Sequence, residues 1–193
     1  MYSVSMAKFT RDEVEEIAHR LENADLSGAN LAGANLDRVN LIGANLSSAN
    51  LVGANLRMAY LNKANLAGAK LSNTNLTGAD LTGANLGTVD LTGANLSFAN
   101  LGGANLTGAN LTRANLHSTT LTWAQLYRAD LQDASLGHAD LRWADLRQAN
   151  LSGASLATAN LRWAYLKGAK YDQYTKLPDG FDPHAAWMVL SVD

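Results

Sequence analysis

The stretch LRWADLRQANLSGASLATANLRWAYL, residues 141–166, contains two periods at once. A leucine recurs at every fifth residue, and the tripeptide Leu-Arg-Trp returns after twenty residues. The shorter period extends far beyond this stretch, because every fifth residue from Leu21 to Leu166 is leucine, and Tyr171 occupies the next position. An internal repeat of this regularity decides the fold class before local propensities are considered.

The repeating unit has the consensus A-(N/D)-L-x-x. From Leu26 onward an alanine precedes each leucine by two residues, with exceptions only at Val39, Thr74, Val89 and Thr119. A period of five matches neither the 3.6-residue period of an α-helix nor the two-residue period of a flat strand. On a helix these leucines would be spread over every face. The pattern therefore predicts a coil with one corner per pentapeptide and with leucine and alanine pointing inward.

The second residue after each leucine falls at the predicted corner. Glycine is common there, as at Gly28, and glycine tolerates the positive φ of tight turns. The same position also holds Arg38, Met58, Phe98 and Trp123. Because bulky side chains disfavour positive φ, this mixture predicts that the corner does not require positive φ on every face.

The circumference of the coil follows from the spacing of identical outer residues. Residues on neighbouring coils stack at the strand spacing of about 4.8 Å. Trp123, Trp143 and Trp163 recur at intervals of twenty, and Arg142 and Arg162 recur beside them. Twenty residues hold four pentapeptides, so the sequence predicts a square cross-section in which the three tryptophans form one column.

The unbroken A-(N/D)-L-x-x pattern over residues 21–170 resembles that of the pentapeptide repeat family. This resemblance implies an all-β solenoid, a right-handed quadrilateral β-helix of about 7.5 coils and about 36 Å in length at the strand spacing. Residues 1–20 then form an N-terminal capping segment, and residues 171–193 form a C-terminal cap. The tail YDQYTKLPDGFDP, residues 171–183, resembles the ending of cyanobacterial-type members of undefined role.

Both capping segments are predicted to contain a short helix. Residues 10–13, Thr-Arg-Asp-Glu, have the form of a capping box that begins a helix before the first coil. Asp182 and Pro183 are typical of the N-cap and first position of a final helix. These helices would cover the ends of the solenoid, where an uncapped β-helix exposes unpaired backbone.

The predicted final helix contains the apolar residues Trp187, Val189 and Leu190. One interpretation is that they cover the last coil. Another is a homodimer contact, since several quinolone-resistance members of the family dimerise through their C-terminal ends. The two roles are compatible, so the sequence leaves both open.

Composition and motifs argue against several classes of protein. The chain of 193 residues has no cysteine and a net charge of −2, which excludes disulfides and thiolate zinc sites. The first residues, MYSVSMAKFTRDEVEE, lack the apolar core of a secretory signal, and no run of eighteen apolar residues predicts a membrane span. We therefore expect a cytoplasmic protein without a membrane partner.

No pattern of residues predicts an enzyme. The chain lacks the G-x-S-x-G, H-E-x-x-H and P-loop motifs. His117 and His138 fall on one face in adjacent coils, but two histidines without a placed carboxylate make a weak metal site. We therefore expect no catalytic residue, no metal and no cofactor.

The outer surface predicts a partner-binding region in the late coils. Early coils carry mostly small polar residues outside, whereas bulky residues become frequent from Arg113 onward. Tryptophan and arginine are favoured at binding hot spots, which makes a candidate surface of Trp123, Trp143, Trp163, Arg142 and Arg162. The alternative is that these side chains only stack on one another and stiffen the solenoid. The leading hypothesis is a non-enzymatic scaffold or protein-binding rod with an unknown protein partner and physiological role.

Two other functions are weighed against this hypothesis. Some relatives modulate DNA gyrase by mimicking DNA, which requires an acidic rod, but residues 21–170 hold eleven basic and nine acidic side chains. Weak nucleic-acid binding by the basic, aromatic C-terminal coils is the second alternative. The excess of positive charge is too small to favour nucleic acid as a partner.

Overall fold

The computed structural model describes residues 21–191, which form a four-sided solenoid. Parallel backbone bridges join residues twenty apart, from Asp25–Asn45 at one end to Asn150–Lys170 near the other. One coil therefore contains twenty residues and four pentapeptides, as the tryptophan spacing predicts. Within residues 21–191 there is no helix, and hence none that could cross a membrane.

Each pentapeptide makes one turn and is bonded to the coils on either side. The amide of Ala29 donates to the carbonyl of Leu26 (3.0 Å) and closes the turn. Between coils, the amide of Leu26 donates to Asn45 (2.7 Å), and the amide of Asn45 donates to the carbonyl of Ala24 (2.9 Å). Because partners lie on the neighbouring coil, each coil depends on its neighbours for its backbone hydrogen bonds.

The leucines and alanines fill the interior along the whole solenoid. Most are 0–1% exposed, and no buried side-chain polar atom of the described residues lacks a hydrogen-bond partner. Two threonines replace alanine in this core, and their hydroxyls donate to backbone carbonyls: Thr74 to Leu51 at 2.8 Å and Thr119 to Leu96 at 2.9 Å. These bonds explain how a hydroxyl is accommodated at the alanine position.

The prediction that the corner does not require positive φ on every face is wrong. Every corner residue from Asn23 to Gly168 except Thr158 has a positive φ, including Arg38 at 56° and Trp123 at 62°. The preceding residue is outside the left-handed region, so the corner is a type II turn, which demands positive φ at its third residue. Inter-coil bonds impose this geometry despite a cost of about 1–2 kcal/mol for a non-glycine residue.

Thr158 departs from the rule because its side chain replaces a backbone group. Its Oγ1 accepts a hydrogen bond from the amide of His138 (2.9 Å), whereas each corner amide from Asn23 to Asp133 donates to a backbone carbonyl of the next coil. Side-chain type alone does not explain the difference, since Thr88 occupies the same corner position with a φ of 53°. The threonine hydroxyl therefore maintains the link between coils without positive φ.

The asparagines of the consensus form ladders on the outside of the solenoid. Nδ2 of Asn45 donates to Oδ1 of Asp25 (3.0 Å), and Nδ2 of Asn65 donates to Oδ1 of Asn45 (3.1 Å). Oδ1 of Asn45 also accepts from the amide of Ser47, two residues on (3.2 Å). One side chain thus links two coils and holds its own turn, which accounts for the preference for asparagine or aspartate before leucine.

The predicted C-terminal helix is wrong. Oδ1 of Asp182 accepts from the amides of His184 and Ala185 (2.9 and 3.2 Å), as an N-cap does, but only one turn follows. This turn ends at Trp187, which has a φ of 57°. The chain then extends into a strand instead of continuing as a helix. The predicted N-terminal helix lies outside the described residues.

The end of the chain adds a strand to the solenoid. Strand β1, Lys170–Tyr171, pairs in parallel with strand β2, Val189–Leu190. The amide of Val189 donates to Ala169 (2.8 Å), and Met188 is buried. A helix would leave the amides and carbonyls of this coil edge unpaired, whereas a strand bonds to them. That difference explains why extended structure replaces the helix here.

The face before this strand carries a one-residue insertion. Ser155 bridges to Lys176, twenty-one residues on, whereas the bridges from Asp25–Asn45 to Asn150–Lys170 join residues twenty apart. Oδ1 of Asp172 accepts from the amides of Gly153 and Thr175 (both 2.9 Å) and organises the longer loop. The pairing of the solenoid therefore continues beyond Tyr171 with a shifted frame.

Candidate interaction surface

The structure brings Trp123, Trp143 and Trp163 together as a stack on one corner of the solenoid, called here the Trp column. Ring centroids of the first pair lie 5.1 Å apart with an interplanar angle of 3°, and those of the second pair lie 4.9 Å apart at 16°. The corners hold these positions because each tryptophan has the same left-handed backbone, with φ of 61–62°. Trp123 and Trp163 remain 61% and 51% exposed.

The two arginines beside the Trp column have different roles. The guanidinium carbon of Arg162 lies 4.5 Å from the ring centroid of Trp163, and since Trp143 covers one face of that ring, Arg162 closes the other. Arg142 instead donates to Asp140 through Nε (2.8 Å) and Nη2 (2.7 Å). Only Arg162 therefore extends the stack.

Aspartates paired to arginines set the electrostatics of this region. Hydrogen bonds from Arg142 are the main reason why the pKa of Asp140 is below its ordinary value, with a smaller opposing contribution from burial. Arg147 lowers the pKa of Asp145 in the same way. Both carboxylates are therefore ionised at neutral pH, and each is paired with an arginine. A general acid requires a raised pKa, so neither aspartate is suited to that role.

A second cluster, around Tyr127, lies on the following face. The hydroxyl of Tyr127 donates to Oε1 of Gln148 (3.1 Å), and Nε of Arg128 donates to the same oxygen (2.8 Å). The guanidinium carbons of Arg128 and Arg147 lie 5.1 and 6.0 Å from the tyrosine ring centroid. The sequence does not single out Gln148 as part of this cluster. The one sign of the contact is its position twenty residues after Arg128.

The histidines are brought together by ring contacts. His117 and His138 have ring centroids 5.3 Å apart at an interplanar angle of 88°, and Phe98 makes a second edge contact with His117 at 6.0 Å. An edge-to-face pair aims one ring at the face of the other, so the nitrogens do not converge on a common point. No group of three or more potential metal ligands occurs among residues 21–191.

A cavity of about 360 Å³ opens beside the last coil. It is lined by residues 159–162 and 178–181. Its charged groups are Arg162, which already covers Trp163, and Asp179. The cavity contains no nucleophile next to a base, so it lacks the arrangement that catalysis requires.

The predicted cap residues are exposed at the end of the solenoid. Trp187 is 73% exposed, and the side chains of Val189 and Leu190 are exposed although their backbone belongs to β2. Met188, between them, packs into the core. The strand thus covers the coil edge with its backbone and Met188, and presents its other apolar side chains outward.

A pair of glycines beside the Trp column escaped the sequence analysis. Gly103 occupies the same corner as Trp123 one coil earlier, and Gly102 precedes it. A Cβ placed on Gly103 would have no atom within 4 Å. The corner one coil before Trp123 therefore carries no side chain. In the sequence, the one sign of this feature is the pair of consecutive glycines twenty residues before Thr122 and Trp123.

Several solved structures are similar to this chain, and the two of QnrB1 below support its architecture. HetL from the cyanobacterium Nostoc sp. strain PCC 7120, a pentapeptide repeat protein involved in heterocyst differentiation regulation, is 39% identical, with coverage of 83% of this chain and 75% of HetL and a TM-score of 0.44. A trypsin-treated form of QnrB1, a plasmid-mediated fluoroquinolone resistance protein, is 23% identical, with 79% of each chain covered and a TM-score of 0.61. Full-length QnrB1 is 20% identical, with 88% of this chain and 80% of QnrB1 covered and a TM-score of 0.58.

Among curated proteins no match is found. The family model described as pentapeptide repeats matches residues 20–57, 59–97, 94–133 and 134–170 in eight copies. These matches extend over nearly the whole solenoid and coincide with the A-(N/D)-L-x-x units. The chain therefore belongs to the pentapeptide repeat family, and its solenoid is the right-handed quadrilateral β-helix of that family.

Proposed function

We propose that this protein is a non-enzymatic rod that binds another protein through the Trp column. The observation that carries the proposal is the exposure of Trp123 and Trp163, at 61% and 51%, on a rigid corner. Large exposed aromatic groups are costly on a free surface and common at the centre of binding sites. Arg142 and Arg162 flank the column and complete the surface.

The rigidity of the column favours binding over a purely internal role. Stacking covers the facing sides of the rings but leaves their edges in solvent, so it removes only part of the apolar surface from water. The rings are already fixed in position, so a partner would immobilise few additional side chains. The column thus offers apolar area at a small entropic cost.

The charge of the solenoid supports a protein partner over DNA mimicry. QnrB1 shares the fold, but residues 21–170 have two more basic than acidic side chains, and a DNA mimic requires a strongly acidic rod. In addition, Asp140 and Asp145 are paired with arginines. A supercoiling assay with DNA gyrase, with and without a quinolone, should therefore show neither inhibition nor protection.

The exposed apolar group at the C-terminal end supports a second contact, between two copies of the chain. Trp187, Val189 and Leu190 present 73%, 51% and 49% of their surface. Light scattering should give the mass of a dimer for the wild type and of a monomer for the Trp187→Ala variant. A monomeric wild type at all concentrations would eliminate this contact without affecting the role of the Trp column.

Affinity capture from a lysate of the host cell tests the main proposal. The bait is the wild-type protein or a triple variant with Trp123, Trp143 and Trp163 replaced by alanine. A matched control replaces the exposed early residues Met58 and Tyr60 by alanine. We expect a protein that the wild type and the control retain and the triple variant loses. Equal capture by the folded triple variant would refute the proposal.

A further inference from the structure

We infer that the last coil binds an extended segment of a partner protein along residues 159–163, called here the open edge. This inference rests on the proposed protein-binding function and specifies a second contact, next to the C-terminal end of the Trp column. The segment presents an apolar residue to the interior of the solenoid and, directly after it, an acidic residue to Arg162.

The side one coil before the open edge shows how a neighbouring strand is bound. The amide of Leu141 donates to the carbonyl of Asn160 (2.9 Å), and the amide of Asn160 donates to the carbonyl of Ala139 (2.9 Å). The amide of Trp143 donates to the carbonyl of Arg162 (3.4 Å). This side of the coil thus offers two amides and one carbonyl to the coil that follows.

The same three groups have no partner on the open edge within the described residues. The amides of Leu161 and Trp163 donate to no carbonyl, and the carbonyl of Ala159 accepts from no amide. Residues 178–181 turn instead of pairing here, since the amide of the last residue donates to the carbonyl of the first (3.0 Å). Unpaired groups of this kind are a template for an added strand.

The core is less covered at the open edge than one coil earlier. Ala159 and Leu161 are 8% and 7% exposed, whereas Ala139 and Leu141 are 0% exposed. The cavity of about 360 Å³ is lined by the open edge together with residues 178–181. This volume lies within the range of about 300–1,000 Å³ that small-ligand pockets span, so it suits a short extended segment. An apolar side chain of that segment would complete the burial of Leu161.

Arg162 selects the residue that follows this apolar side chain. Its guanidinium lies over the last ring of the Trp column and pairs with no described carboxylate, although Asp179 lines the same cavity. Residues twenty apart share an outer column, and in such a column Nη1 of Arg57 lies 3.3 Å from Oδ1 of Asp37. An acidic residue one coil beyond Arg162 would pair in the same way, because stacking on the indole leaves N–H groups at the edge of the guanidinium free to donate.

The register of the solenoid specifies the pattern of the segment. The bridges between described coils are all parallel. A strand bound in the same manner places one residue opposite Asn160, the next over Leu161 and the third beside Arg162. Since side chains alternate along a strand, the second points into the core and the other two point outward. The segment therefore contains a large aliphatic residue followed by aspartate or glutamate.

The peptide acetyl-Ala-Asn-Leu-Asp-Gly-amide, which follows this pattern, is the probe for a direct test by NMR. It is titrated into the wild-type protein while the backbone amide signals are recorded. We expect the amides of Leu161 and Trp163 to shift and, at saturation, to exchange with solvent about threefold more slowly. The amides of Leu141 and Trp143, which are already bonded, should stay unchanged. No response at Leu161 and Trp163 would overturn the inference.

Three altered peptides identify what the open edge recognises. N-methylation of the peptide's asparagine removes the amide that would donate to Ala159 and should weaken binding about fivefold. Replacement of its leucine by alanine should weaken binding about tenfold, and replacement of its aspartate by lysine about fivefold. Equal affinities of the parent and the N-methylated peptide would overturn the inference, since they would show that no strand is added.

Two protein variants test the role of the charge. Arg162→Gln should abolish the preference for the aspartate peptide over the lysine peptide. Arg147→Gln is the matched control, because it also replaces an arginine directly after a leucine, but one already paired with Asp145, and it should leave both affinities unchanged. Circular dichroism verifies the fold of both variants. A preference for aspartate that survives in Arg162→Gln would overturn the assignment of an acidic residue to this position.

Affinity capture then distinguishes this inference from the proposed function. The partner held by the wild type is challenged with an excess of the parent peptide or of its N-methylated form. If the triple tryptophan variant loses the partner and neither peptide releases it from the wild type, the inference fails alone. If the triple variant loses the partner and only the parent peptide releases it, both stand. If the triple variant retains the partner, the role of the Trp column fails, and the inference stands or fails by whether the parent peptide releases that partner.

Discussion

The corners of the early and late coils share one backbone but differ in side chain. From Gly28 to Gly108 more than half of the corners are glycine, whereas the eight consecutive corners from Arg113 to Gln148 contain none. Both sets have positive φ, a conformation that costs a non-glycine residue about 1–2 kcal/mol. The late coils therefore carry a backbone cost that the early coils largely avoid.

The contacts of the late corners identify what offsets this cost. Trp123 and Trp143 stack, Arg128 donates to Gln148, and Arg113 lies near Asp133, with Nε and Oδ2 3.9 Å apart. The interiors of the two regions are the same, with leucine and alanine buried throughout. The comparison indicates that the late coils carry large corner side chains at the cost of an unfavourable backbone conformation. The core is the same in both regions.

The largest effect should come from the shared core and should be equal in both regions. Leu81→Ala and Leu141→Ala each remove a side chain that is 0% exposed, and each should cost about 2–5 kcal/mol. Urea denaturation followed by circular dichroism provides the measurement. A difference between the two variants much larger than the experimental error would break the claim that the interiors are equivalent.

The next effect should be confined to the late coils. Trp143→Ala removes two stacked contacts, which at about 0.5–1.5 kcal/mol each amount to about 1–3 kcal/mol. Met58→Ala is the matched early variant, since it also replaces an exposed corner residue with positive φ, and it should change stability by less than about 0.5 kcal/mol. Equal urea midpoints for the two variants would show that the stack adds nothing to stability.

Glycine substitution at the corners should stabilise the early coils but not the late ones. Thr88→Gly relieves a positive φ of 53° and should stabilise the protein by about 1 kcal/mol. Arg128→Gly relieves the same strain but loses the bond to Gln148 and the contact with Tyr127, so no gain is expected. Thermal melting of the two variants side by side measures the difference, and a clear gain for Arg128→Gly would contradict the compensation.

The smallest effect should be the acid sensitivity of the late coils. Asp140 and Asp145 have lowered pKa values in the folded protein because Arg142 and Arg147 bind them. A lowered folded pKa means that the stabilisation is present above the unfolded value of about 3.9 and is lost as pH falls towards the folded pKa. Replacing both aspartates by asparagine should therefore lower Tm slightly at pH 7.

The pH dependence is the control for this last prediction. Below the folded pKa the wild-type carboxylates are protonated, so the melting temperatures of wild type and double variant should converge. Added salt at neutral pH should narrow the difference as well, since these pairs are partly exposed. A difference that persists unchanged in acid would assign the effect to packing rather than to charge.

Much of the fold was predictable because one pattern is repeated without interruption. The leucine period established the inward residues, and the spacing of the tryptophans established the circumference and the Trp column. The corner geometry was not predictable from residue preferences, because Arg38 and Trp123 are poor candidates for positive φ and adopt it only under the constraint of neighbouring coils.

The remaining errors come from contacts that sequence alone leaves equally plausible. Arg142 can reach either a tryptophan or Asp140, and only the structure shows that the carboxylate wins. Asp182 does accept an amide hydrogen bond as an N-cap does, but Val189 and Leu190 then pair with the edge of the last coil as β2. In the first case a carboxylate two residues away decided the outcome, and in the second case a coil edge that is distant in sequence did so.

The twenty-residue pairing also limits how such a chain can change in length. Deleting residues 81–100 would keep Lys63 and Trp123 in the same column and bring them closer by one coil, or about 4.8 Å. Deleting five residues would instead turn everything beyond the deletion by a quarter of the circumference and separate the two onto different faces. Insertions and deletions of whole coils therefore change the distance between surface groups in fixed increments. Smaller ones give every outer residue beyond them new neighbours on the adjacent coils.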